Sequence, residues 1–95
     1  MTDQDTENRR IALKAPAAKA LQRRDFILEW ADSIDQWVWT WETKGFSLSV
    51  YSRRANQEPP KELSDPVDVE IWGKPDSAQI FFKYKSLGDF LKSIQ

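Results

Sequence analysis

The sequence predicts an α+β fold: an N-terminal helix, a four-stranded antiparallel β-meander, and a short C-terminal helix packed on one sheet face. Three observations carry this reading. Trp37, Trp39 and Trp41 recur at spacing two; on a helix such residues diverge by roughly 200°, whereas on a strand they share one side. Three further alternating runs follow, Phe46 to Tyr51, Val67 to Trp72 and Ala78 to Lys85, with turn residues between them. Finally, Ser86-Leu87-Gly88-Asp89 opens a stretch in which Leu87, Phe90, Leu91 and Ile94 fall at i, i+3, i+4 and i+7. That is the mark of a capped helix with one apolar stripe.

In chain order, residues 1–14 hold few apolar side chains and no helix-stabilising pattern, and are expected as a flexible polar tail. This leaves 15–95 as a single α+β domain. Pro16 suits a first helical turn. From Ala17 to Asp32 there is no Gly or Pro, and Leu21, Ile27, Leu28, Ala31 and Ile34 recur near helical spacing. A helix ending around Asp32-Ser33 is therefore predicted, with a short strand over Phe26 to Trp30 as the competing reading.

Strand pairing can be argued from the apolar pattern. A two-residue loop at Lys44-Gly45 sets Trp41 opposite Leu48 and Trp39 opposite Val50, making one face wholly apolar; a three-residue loop scatters apolar side chains over both faces. The polar, proline-bearing segment from Arg53 to Glu62 reads as a loop, and Ser64-Asp65-Pro66 as extended chain. A turn over 74–77 sets Ile71 opposite Ile80, Val69 opposite Phe82 and Asp68 opposite Lys83, joining apolar to apolar and acid to base. The indole-bearing face is expected to be covered and the other face open. An uncovered edge strand leaves a homodimer by sheet extension open.

Composition narrows the function. The 95 residues contain neither cysteine nor histidine, which removes disulfides, thiolate and imidazole metal sites, and Ser-His or Cys-His nucleophilic machinery. No Gly-rich phosphate loop is present, and nothing holds Glu42 and Glu70 at a catalytic separation, so no enzyme, no metal and no cofactor is expected. No apolar run approaches the ~18 residues of a membrane span, and no signal pattern opens the chain; a cytoplasmic protein with no membrane partner is the expectation.

The net charge of −1 hides segregation: residues 1–8 carry −3, 9–24 carry +6 and 25–43 carry −5. Arg9, Arg10, Arg23 and Arg24 in the basic block form a candidate phosphate-binding set. On the open face, Tyr51, Trp72 and Phe81 are more ring than a solvated surface usually shows, and with Arg53 and Lys83 they form a candidate partner-binding set. The bland alternative is that a helix or the long loop covers these rings. The Trp ladder is read as core rather than as a sugar- or cation-binding strip, because Leu48 and Val50 face it. The expected function is a small non-catalytic protein-binding module, an adaptor, inhibitor or assembly factor. The alternative is a nucleic-acid-binding module using residues 9–24 and the exposed aromatics.

Overall fold

The structure, a computed structural model, describes residues 2–32, 35–52, 59–73 and 79–94. Arg53, Ile34 and the turn expected over 74–77 lie outside the described residues. Among the described residues, three helices and five strands form an α+β domain, the strands making one antiparallel sheet in the order β1-β2-β3-β4-β5.

The first helix, α1 (Asp3–Lys14), occupies the segment expected as a tail. Thr2 caps it: its hydroxyl accepts from the Asp5 N–H at 3.1 Å, and its own N–H donates to the Asp5 carboxylate at 2.9 Å. The Thr2 backbone N–H first, and the Thr2 hydroxyl second, hold the Asp5 carboxyl below its ordinary range. Thr2 and Asp5 thus form a capping box, and Lys14 places a cation at the negative end of the helix. Tertiary contact supplies the rest, since a helix this short is marginal alone. The Trp37 indole donates to the Asp5 carbonyl at 2.8 Å, and Ala12 is buried.

The helix expected to reach Asp32 stops much sooner. α2 (Pro16–Gln22) carries Pro16 in its first turn, as its sequence position suggests. At its end the Phe26 N–H donates to the Leu21 carbonyl at 3.1 Å and the Asp25 N–H to the Gln22 carbonyl at 3.0 Å, with Asp25 left-handed at φ 65. This is a Schellman-type closure with aspartate in the usual glycine position, and buried Leu21 and Phe26 supply its apolar contact. The competing strand reading is the one that forms: β1 (Ile27–Ala31) pairs with β2 (Gln36–Glu42), and the meander has five strands rather than four. Helical spacing misled here because Leu28 and Trp30 also alternate, facing Trp39 and Trp37 across the pair.

The other pairings follow the apolar pattern. Trp39 faces Val50 and Trp41 faces Leu48 on β3 (Phe46–Ser52). β4 (Val67–Gly73) and β5 (Gln79–Tyr84) bring Asp68 to Lys83, Val69 to Phe82 and Ile71 to Ile80. The β2–β3 turn reaches its register by an unexpected route. Neither Lys44 nor Gly45 has positive φ; instead the Thr43 hydroxyl accepts from the N–H groups of Gly45 at 3.1 Å and Phe46 at 3.2 Å.

The last helix, α3 (Leu87–Ser93), begins where the Ser86 hydroxyl accepts from the Asp89 N–H at 3.1 Å. The core joins Ala17, Ala18 and Leu21 of α2 and Leu87, Phe90 and Leu91 of α3 to Trp39, Val50, Val67 and Val69 of the sheet. All three helices therefore lie on the face that carries the indoles.

Candidate functional site

On the helix-free face, three of the expected partner-binding residues gather at the β4–β5 end. Glu70 faces Phe81, Asp68 faces Lys83, and Trp72 faces position 79. Trp72 and Phe81 are consequently diagonal neighbours, close enough for both rings to touch one ligand group. Phe81 is 61% exposed and Trp72 37%, and Lys83 is exposed beside them. An apolar side chain this bare gains by finding cover.

Tyr51 has a different employment. It is half-buried, and its hydroxyl donates to Glu70 Oε2 at 2.9 Å. Burial, with the Glu70 carboxylate beside it, pushes the Tyr51 phenol up to about 12. Glu70 itself is 7% exposed and Val38 is buried, so part of the face expected to be open is closed. The exposed rings are Trp72 and Phe81, and Tyr51 forms their polar border.

The helix-bearing face is less covered than expected. Seven-residue helices are about 10 Å long, and five strands at about 4.8 Å spacing span nearly twice that. Beyond α2 and α3 the sheet lies open as an apolar groove of about 480 Å³, with Trp41, Phe46, Ile71 and Phe82 along it and Phe90 and Ile94 on one wall. Arg24 and Asp25 stand at its rim. This groove escaped sequence reasoning because its residues look like ordinary core; the available signal was the excess of inward rings over helix length.

The four candidate phosphate-binding arginines sit on two elements, Arg9 and Arg10 on α1 and Arg23 and Arg24 at the end of α2. Arg9 stacks over the Trp37 ring at 5.7 Å. Arg10 pairs with Glu7, its Nε donating to Oε2 at 3.0 Å, and this bond holds the Glu7 carboxyl below its ordinary range. Arg24 donates to the Ala20 carbonyl at 3.2 Å, while Arg23 is exposed at the end of α2. Since α1 and α2 share the indole face, this basic segment and the Trp72–Phe81 pair lie on opposite sides of the sheet.

Comparison with protein-family models, curated proteins and solved structures finds no match to this chain. Among the described residues, no group of acidic side chains is placed to hold a metal ion, and no helix is long and apolar enough to cross a membrane. What the site offers chemically is apolar and aromatic area with lysine beside it.

Proposed function

We propose that the protein is a small non-catalytic binding module that engages a protein partner through the aromatic and basic end of its sheet, as an adaptor, inhibitor or assembly factor. The observation that carries this is the exposure of Phe81 and Trp72 as neighbours on a helix-free face. Aromatic side chains are enriched at the core of protein interfaces, and tryptophan among the residues that carry binding energy. The cytoplasm is the location we propose; without cysteine the fold needs no oxidising compartment.

Nucleic-acid binding is the second reading, favoured by the exposed ring pair beside Lys83 as a stacking platform. Against it stands the separation of the 9–24 arginines from those rings. The test is capture from extract of the source cells with the native chain and with a Trp72→Ala/Phe81→Ala pair, before and after nuclease. A protein retained after nuclease and lost from the double variant is the expected result. Capture abolished by nuclease, or falling steeply with salt, would replace this reading with the nucleic-acid one.

A further inference from the structure

The two edges of this sheet are guarded differently. Edge strands expose unpaired N–H and C=O groups, and monomeric proteins blunt them with charge, proline or cover. β1 carries exposed Glu29 at its centre, and its inward Leu28 and Trp30 are half-buried. β5 has neither charge nor proline from Gln79 to Phe82, and Ile80, Phe81 and Phe82 are 53%, 61% and 44% exposed. Ile80 and Phe82 point to the helix-bearing face and Phe81 to the other, so one edge is bare on both sides. A globular partner lying on one face leaves the other uncovered. An added strand covers both, because its side chains flank both faces while its backbone takes up the free edge.

We propose that this added strand is β5 of a second copy, paired antiparallel about a two-fold axis at Phe81, so that the two sheets become one. β5 is self-complementary about Phe81. In this register Ile80 falls opposite Phe82 of the second copy, twice, on the helix-bearing face, and Phe81 falls opposite Phe81 on the other. Lys83 falls opposite position 79, a glutamine in the sequence, so no lysine confronts a lysine. Moving the axis to Phe82 would instead set Lys83 against Phe81 and half-buried Tyr84 against Ile80. Pairing β5 with the acidic β1 edge of another copy would repeat without closing, whereas the two-fold arrangement is a closed dimer. On the helix-bearing side the pairing extends each groove floor, because Phe82 lines the groove and Ile80 of the second copy lies next to it.

The dimer stands apart from the partner-binding reading: a chain that dimerises and captures nothing, or captures a partner as a monomer, separates the two. The test is light-scattering mass of the full chain at high micromolar concentration, for the native protein, Phe81→Lys, Phe81→Glu and an equal mixture of the two variants. Phe81 is exposed, so each variant should keep its fold, which far-ultraviolet circular dichroism checks. The expected result is twice the 11.1 kDa chain mass for the native protein, the single-chain mass for each variant alone, and the doubled mass restored on mixing. A native monomer, or a mass that keeps growing with concentration, would overturn the proposal. So would a Phe81→Glu variant that dimerises by itself, since residue 81 would then face Lys83.

Discussion

Tyr51 illustrates how one side chain can satisfy the alternation of its strand and still leave the surface. Its ring points to the helix-free face, as β3 requires, but it is half-buried and its hydroxyl donates to Glu70, so it carries an internal polar contact. The consequence can be measured. The phenol is raised from its ordinary 10.0 to about 12, so the folded chain holds this proton more tightly than the unfolded one. The contribution to stability is complete below about pH 10 and is lost as pH rises toward about 12. Ultraviolet titration of this two-tyrosine chain should show a tyrosinate step near 12 that Tyr51→Phe removes; loss of a step near the ordinary value from that variant instead would contradict the contact. Trp39 and Trp37 differ in the same local way. The Trp37 N–H has the Asp5 carbonyl, whereas the buried Trp39 N–H has no partner among the described residues.

At the scale of elements, the decisive place is the join between α2 and β1. A run from Ala17 to Asp32 without Gly or Pro reads as one helix, yet Asp25 takes the left-handed conformation that glycine usually supplies, and the chain turns into a strand. Aspartate tolerates this conformation better than most residues but not without cost. Asp25→Gly should therefore stabilise the protein by about 0.5–1 kcal/mol, read as a higher urea midpoint with unchanged slope. A loss of stability would mean that the Asp25 side chain contributes more than its backbone strain costs. The N-terminal helix teaches the complementary lesson. The Thr2/Asp5 capping box went unread in a segment without a strong apolar stripe, and the helix is anchored where Trp37 offers a hydrogen bond across 32 positions of chain.

For the whole molecule, the segment between β3 and β4 acts as the stitch. Asp65 is buried at 7% exposure, and its carboxylate accepts from the N–H groups of Lys61 at 3.0 Å and Glu62 at 3.1 Å. The carbonyl of Lys61 receives the Ala17 N–H at 3.0 Å, and that of Asp65 receives the Leu87 N–H at 2.8 Å. One short stretch thereby fixes the starts of α2 and α3 relative to the sheet. Asp65→Ala leaves two part-buried N–H groups without their charged acceptor and should cost about 2–3 kcal/mol in urea unfolding. A cost below about 0.5 kcal/mol, the range of ordinary surface changes, would show that the stitch is dispensable. With both helices placed in this way, the far part of the helix-bearing face stays open, and the groove beside Phe82 and the bare β5 edge are the result.

What the sequence determined by itself is the set of decisions that period and opposition make locally. The indoles share a side because alternate strand residues must, and the β2–β3 and β4–β5 registers follow because a one-residue slip would turn Trp39 or Phe82 to the wrong face. Ser86 starts α3 because its hydroxyl sits three residues before an N–H in need of an acceptor. Only the tertiary structure decided that residues 3–14 form a helix, that Asp25 ends α2, and that Tyr51 withdraws while Phe81 stays bare. Each of these depends on the energy of meeting a remote element, and on whether three short helices have the length to cover five strands, and neither quantity is carried by the residues at the site.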